Sequence, residues 1–467
     1  MLEPAEQADV VIVGAGVAGL AAALQLTGAG VRTVVLEAAP GVGGRMNTER
    51  IDGFRLDRGG RLLSTSYPEL RRIPELGALP LRTFAPGVLV HSGGRTHRTW
   101  EAGGALSAAL SGRLGTRGAR GARSAHSARG ALTAARALAS APRPPRPAHR
   151  PQRNRPWLGG PLDHARLGAA LARLAATPVD RLLARPELPA AQALSGRGLP
   201  PRTVDGFLRP LLSALLCDPD LSTSSRAADL ALRGFARGRL CVPAGGADTL
   251  PALLAAALPP GTVHTGVKAV EVSTTSVRTA DHGELPCRSV LLATGARQAA
   301  ELLPGLRMPD FHAVTVVHHA APEPPLTEPA LLLDADRGGP VAHTAVMSQV
   351  DPSRAPEGRA LISSVVLGPP PSQGAVRSQL ARLYGTSTAH WELLAVHHDP
   401  EAVPAMPAPH DLRRQVRLLA GLYVCGDHRD TSTLQGALHS GRRAARAILR
   451  DLGVTPRQGL HPLTAAA

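Results

Sequence analysis

Residues 9–13, Asp-Val-Val-Ile-Val, form a short apolar run and predict a buried strand. Residues 14–19 follow as a glycine-rich turn entering a helix. Residues 20–26 continue that helix until Gly28 and Gly30 stop it. Residues 31–36 return to an apolar run that ends at Glu37. Strand, helix and strand in that order predict a βαβ unit. Residues 41–70 read as a loop region rich in Gly and Arg, then a short helix. From residue 158 a helical texture returns, with Leu167, Leu171 and Leu174 on one face. Residues 179–240 read as mostly helical, punctuated by prolines. Residues 262–272 alternate like one strand, and 290–293 are another, closed by Thr294 and Gly295. Further strands are expected at 313–317, 361–366 and 422–425. Residues 435–449 predict a last helix, stopped at Gly453. Arg442, Arg443, Arg446 and Arg450 complement the dipole at its C-terminal half.

A chain of 467 residues exceeds what one hydrophobic core supports, so two domains are expected. Apolar residues make up 43% but aromatics only 2%, so the core is built from Ala, Leu and Val. The formal charge of +16 invites a nucleic-acid reading. Its distribution argues otherwise. No acidic residue lies between Glu101 and Asp163, while arginines run from Arg113 to Arg155. No aromatic residue interleaves those arginines before Trp157, so stacking platforms for bases are missing and no specific nucleic-acid partner is expected. Residues 102–156 are low in complexity and cannot build a packed core. Two accounts of them stay open: a disordered basic insertion making peripheral contact with anionic membrane lipid, or a shifted reading frame in a GC-rich gene.

Cys217, Cys241, Cys287 and Cys425 are scattered and form no C-x-x-C pair, which reads as free thiols in the cytoplasm. The stretch 1–9 is acidic, so no secretory signal is expected there, and no apolar run is long enough to span a membrane.

Gly14-Ala15-Gly16-Val17-Ala18-Gly19 matches G-x-G-x-x-G in the required context: after a strand, opening a helix, with an acid about 20 residues on. Gly14 permits the tight turn, Gly16 lets a pyrophosphate approach the backbone, and Gly19 lets helix and strand pack closely. The helix N-terminus offers free N–H groups to phosphates. Glu37, followed by Ala38, is placed to accept hydrogen bonds from a ribose and would repel a 2′-phosphate.

That motif fits FAD and NAD alike, and two further segments separate them. Residues 37–48 (EAAPGVGGRMNT) carry Gly43, Gly44 and Arg45. Residues 422–448 (LYVCGDHRDTSTLQGALHSGRRAARAI) carry Gly426 and Asp427, then Gln435, Gly436, Ala437 and Gly441. Residues 242–250 (VPAGGADTL) lie between them. Together with residues 57–69, which include Gly60 and Arg61, these resemble the superfamily of FAD-dependent amine oxidases, phytoene desaturases and protoporphyrinogen oxidases. The resemblance covers about half of the chain. Ala247 stands where a methionine is common. It implies FAD as cofactor, Val267 beside the adenine, and Asp427 near the ribityl and pyrophosphate groups. Arg45 would neutralise phosphate charge. The helix after Thr433 would aim its amides at the flavin ring.

Oxidation at flavin needs a positioned substrate more than a dedicated acid or base, so no catalytic residue is assigned. Many amine oxidases of this superfamily use a lysine near the flavin. Lys268 is the sole lysine and falls on the adenine side. The position of the family's C-terminal cage aromatic falls at Thr433. A standard amine oxidase is therefore disfavoured against dehydrogenation of a small apolar molecule. A flavin amine oxidase and an inactive flavin-binding paralogue remain alternatives. Arg61 is a candidate for an anionic substrate group. Arg209 and Asp218 resemble a segment of bacterial relatives without an assigned role. The pairs His318-His319 and His397-His398 lack ligand spacing, so no metal site is expected. Cys425 reads as core.

The expected fold is α/β: a Rossmann-like FAD-binding domain with a discontinuous α+β substrate domain. The FAD domain takes residues 1–100, 241–305 and 411–467. The substrate domain takes 157–240 and 306–410. The oligomeric state is open.

Overall fold

The structure is a computed structural model that describes residues 8–99 and 161–454. The basic segment 102–156, with its expected lipid contact, lies outside the described residues.

Val10, Val11, Ile12 and Val13 are buried on both faces of the strand Ala8–Val13, as a central parallel strand requires. Thr33–Glu37 pairs with it in parallel on one side and Glu284–Leu292 on the other. Val263–Thr265 extends the first edge and Leu422–Val424 the second, both in parallel. The helix Val17–Gly28 returns across this sheet, completing the expected Rossmann-like unit. The 18-residue helix Leu434–Asp451 packs against that helix at very close range. A Cβ on Gly441 would come within 2.2 Å of the Ala18 carbonyl oxygen.

Residues 262–272, expected as one strand, form two. Val263–Thr265 joins the parallel sheet, whereas Ala269–Val272 starts an antiparallel meander with Ser276–Thr279 and Glu284–Leu292. The break falls at Gly266, whose φ of +73° reverses the chain.

A second, seven-stranded sheet contains Phe311–Ala321, Ala360–Val366 and Glu392–Pro404 with four shorter strands. Val88–Ser92 and Arg95–Thr99 belong to this second sheet, although they fall within the stretch expected with the nucleotide-binding part. Val88 and Val90 are buried on one face among Phe207, Leu211 and Leu333, which pulls the hairpin to this side. Helices Pro161–Ala176, Arg209–Leu216 and Ser225–Arg237 cover that core, and Leu167, Leu171 and Leu174 point into it.

His318, His319, His343, His410 and His428 are buried, and burial is the largest cause that holds each below the ordinary histidine range. His318 is pushed down to about 3 and the other four to about 4. The unfolded chain therefore binds more protons than the folded one between about pH 4 and the ordinary value near 6.5. Stability is full above that window and falls as pH drops through it, by at most about 1.4 kcal/mol per group per pH unit. The apparent melting temperature is expected to fall steadily between pH 7 and pH 5. A flat calorimetric profile over that range would contradict the buried, neutral assignment.

Candidate functional site

A cavity of about 550 Å³ runs along the C-terminal ends of the parallel strands. At one end stand Gly14, Gly16, Val17 and Ala18 from the first turn, with Glu37 and Ala38 from the end of the second strand. Gly14 has a φ of +106°, and a Cβ there would sit 2.9 Å from the Ala293 carbonyl carbon and oxygen. Only glycine allows the two strand ends to approach so closely. Gly16 has ordinary extended geometry (φ −70°, ψ 171°), and a Cβ there meets no atom within 4 Å. The space a side chain would take is the cavity itself.

Glu37 is fixed by backbone donors. Ala15 N–H reaches its Oε2 at 2.8 Å and Ala39 N–H its Oε1 at 2.9 Å. The remaining lone pairs can face a ribose. Val267 and Lys268 line the same end, because Val267 N–H donates to the Glu37 carbonyl at 2.9 Å.

At the other end, Gly43, Gly44 and Arg45 meet Gly426 and Asp427. Arg45 Nη2 lies 2.5 Å from Asp427 Oδ1, and its Nη1 donates to the Ala402 carbonyl at 2.8 Å. Burial alone would raise the Asp427 carboxyl. The charge and hydrogen bond of Arg45, with lesser help from His428 and Arg61, outweigh it and hold the group below the usual range. It is thus a buried, ionised acceptor suited to hydroxyl donors. Thr433, Leu434 and Ala437 present the start of the C-terminal helix to the cavity. Thr433 Oγ1 accepts from Gly436 N–H at 3.2 Å, capping that helix. Gly60 and Arg61 close the near wall. A Cβ on Gly60 would meet Val316 and Val365 at 2.9 Å, so the second sheet presses directly on this loop. Arg61 donates to the Ser432 carbonyl and has no carboxylate in ion-pair range among the described residues.

Four expected residues do not line the cavity. Ala15 acts through its N–H on Glu37. Gly19 is needed for packing, since a Cβ there would lie 2.1 Å from Gly14 O. Gln435 accepts from Glu69 N–H at 2.9 Å instead of facing the cavity. Gly436 packs on Thr431, whose carbonyl a Cβ would strike at 1.9 Å. Other weak candidates lie elsewhere. Arg209 contacts Asp205 at 3.3 Å. Asp218 organises a turn, accepting from Thr223 N–H and Oγ1 at 2.8 and 2.7 Å. Cys425 is fully buried core.

Leu62, Leu63, Tyr67, Leu215 and Ala402 also line the Asp427 end, and none was singled out from the sequence. Neither was Arg354, buried to 1% exposure, which joins Asp57 of the cavity wall at 2.8 Å to Asp351 at 3.1 Å. Thr294, Gly295, Gln298 and Glu301 form the far wall near Lys268. The Thr294-Gly295 pair closing a buried strand was a legible signal, because that strand lies beside Ala8–Val13.

Ser440 pins the Gly426 turn. Its Oγ accepts from Gly426 N–H at 2.9 Å and lies 2.8 Å from the Gly426 carbonyl oxygen. Ser440→Ala leaves that buried N–H without a partner, a loss of about 1–3 kcal/mol. Weaker flavin retention is expected on desalting. Wild-type retention by the variant would show that the Ser440 contact to the Gly426 turn is not needed to hold the cofactor.

The cavity fits a flavin adenine dinucleotide on its own geometry: a side-chain-free gap over a helix N-terminus, a fixed carboxylate at one end and a buried ionised Asp at the other. A sequence profile of the family described as flavin-containing amine oxidoreductase matches residues 17–449. Over 90 residues the chain is 42% identical to a putrescine oxidase of Kocuria rosea, covering 19% of each protein. Over 55 residues it is 53% identical to a phytoene dehydrogenase of Streptomyces griseus, covering 12% of this chain and 11% of that one. The alignments thus span about a fifth or less of these curated relatives. Among solved structures, an oxidoreductase from Methanosarcina mazei superposes with a TM-score of 0.66 at 16% identity, over 94% of this chain and 99% of that one. A putrescine oxidase bound to putrescine superposes at 0.60 and 19% identity, over 95% and 99%. At such identities the likeness speaks for the fold.

Proposed function

This chain belongs to the flavin-containing amine oxidoreductase family, and on that premise we propose that it is an FAD-dependent oxidoreductase that dehydrogenates a small, apolar organic molecule. The observation that carries the substrate class is the make-up of the Asp427 end of the cavity. Leu62, Leu63, Leu215, Ala402 and Leu434 supply apolar surface there. Its cationic groups are Arg45 and Arg61, and Arg61 has no ion-pair partner among the described residues. The Asp427 and Asp57 carboxylates balance these charges, so the apolar surface, not the field, favours a neutral substrate there. Lys268 sits at the Glu37 end, away from where a lysine would serve amine oxidation.

Gly14, Gly16 and the amides of the first helix would hold the pyrophosphate, Glu37 the adenosine ribose, and Asp427 the ribityl hydroxyls. Arg45 offsets phosphate charge while keeping Asp427 ionised. Bound there, FAD would supply the two-electron acceptor for the oxidation. The apolar wall excludes water from the reacting carbon.

A second reading, oxidation of a neutral amine, is supported by the relatives named as putrescine oxidases. The four cysteines are free and buried, which supports a cytoplasmic setting. Among the described residues no helix is long and apolar enough to cross a membrane.

The test starts with the visible spectrum of the purified protein and acid release of its chromophore. A two-banded oxidised flavin spectrum with FAD released is expected. Anaerobic bleaching by partly saturated polyenes or porphyrinogens, and not by simple amines, supports the leading reading. Bleaching by amines alone replaces it with the second. A colourless protein that cannot be reconstituted with FAD sinks both.

A further inference from the structure

At the Val88–Thr99 edge of the second sheet, a cluster unrelated to the cavity is left incomplete. Asp334 ends the strand Leu332–Asp334 and is the register partner of His91 on the parallel strand Val88–Ser92. Asp336 follows in the loop after Asp334. One donor atom from each of the three side chains lies within 4.8 Å of the other two.

His91 makes the cluster more than a pair of acids. Its side chain is 3% exposed, and its buried Nδ1 has no hydrogen-bond partner. The nearby carboxylate oxygen, Asp336 Oδ2, stands 3.6 Å away, beyond hydrogen-bond reach. A buried imidazole nitrogen without a partner is costly; other buried histidines share that state, but among the described residues only His91 has two carboxylates grouped with it, an arrangement a cation would complete.

The two carboxylates are already oriented. Asp334 Oδ2 accepts from Gln379 Nε2 at 2.7 Å, Gly338 N–H at 3.1 Å and Arg382 Nη2 at 3.2 Å. Its Oδ1 accepts only from Asp336 N–H, at 3.0 Å, and keeps a lone pair free. Asp336 accepts from Ser92 Oγ at 3.0 Å and Gly93 N–H at 2.8 Å. Bonds of this kind aim metal ligands. Arg382 answers only one of the two negative charges, and its side chain is 42% exposed. Asp336 is 36% exposed, which leaves a solvent side for entry and for water ligands.

We propose that His91, Asp334 and Asp336 form a binding site for one divalent first-row transition metal. One imidazole and two carboxylates suit Zn²⁺ and its neighbours; Mg²⁺ and Ca²⁺ favour oxygen donors throughout. Metal–ligand bonds of about 2.0–2.2 Å place tetrahedral donors about 3.3 Å apart, so a small movement of the Asp336 loop closes the site. The ion ties the loop after Asp334 to the hairpin at Ser92 and Gly93. It takes no part in the flavin reaction.

The test is calorimetric titration of the full, FAD-loaded protein with Zn²⁺ after chelator treatment. One equivalent is expected to bind saturably. His91→Gln is expected to abolish that isotherm, and Asp336→Asn to weaken it about tenfold or more, with the flavin spectrum unchanged in both. Should His91→Gln fail to fold, Asp336→Asn decides, because the amide oxygen of that partly exposed side chain can still accept from Gly93 N–H while its NH2 donates to Ser92 Oγ. No one-to-one binding in the wild type, or wild-type binding by the variants, overturns the proposal and assigns any zinc uptake to other histidines.

Discussion

Gly16→Asp is expected to give a folded but colourless protein. The backbone at Gly16 is extended and accepts any residue, and a Cβ there meets nothing within 4 Å. The substitution therefore strains nothing in the apoprotein. Its carboxylate, however, would stand in the gap over the helix N-terminus, where the pyrophosphate is proposed to lie. Like charges brought together at such a site cost several kcal/mol, or about a hundredfold or more in affinity. Circular dichroism should match the wild-type apoprotein, while absorbance in the flavin bands is lost. Gly16→Ala, which adds bulk without charge, should lose less. A fully flavinated aspartate variant would place the dinucleotide elsewhere.

Gly441→Val should act through stability instead. A Cβ at Gly441 lies 2.2 Å from Ala18 O and 3.0 Å from Ala18 C, both main-chain atoms of the first helix. Neither can move without displacing the turn that carries Gly14 and Gly16. Overpacking of this kind costs about 3 kcal/mol or more. The expected outcome is a sharp loss of soluble yield and a lower melting temperature, with flavin loss following the unfolding. Gly28→Ala is the control, since a Cβ on Gly28, at the outer end of the first helix, meets nothing. It should be neutral or slightly stabilising. Equal behaviour of the two variants would mean that the helices do not pack this tightly.

The two variants touch different kinds of information in the chain. Gly14, Gly16 and Gly19 could be read in advance because each answers a local requirement: a positive φ, an open approach, a close helix–strand contact. Glu37 was legible for the same reason, as the end of a strand at a fixed spacing from the turn. Gln435 was not. In sequence it belongs to the flavin motif, yet its side chain binds Glu69 N–H, a partner 366 residues away. Leu215 and Ala402 were invisible because an apolar residue in a helix or strand carries no mark of which cavity it faces. His91 and Asp334 lie far apart in sequence and meet only because two short strands pair in parallel.

By itself, then, the sequence determined the βαβ start, the glycine cradle, the acid at Glu37, and the C-terminal strand and helix that return to it. Each depends on backbone dihedrals and on periods of two or 3.6 residues, which neighbouring residues set. Tertiary structure alone decided that 88–99 joins the second sheet, that 262–272 divides at Gly266 between two pairings, and that Arg45 meets Asp427 across 382 residues. Those outcomes depend on strand pairing and burial between distant segments. A local pattern limits such pairings without choosing among them, because the same alternating run can be buried against either sheet.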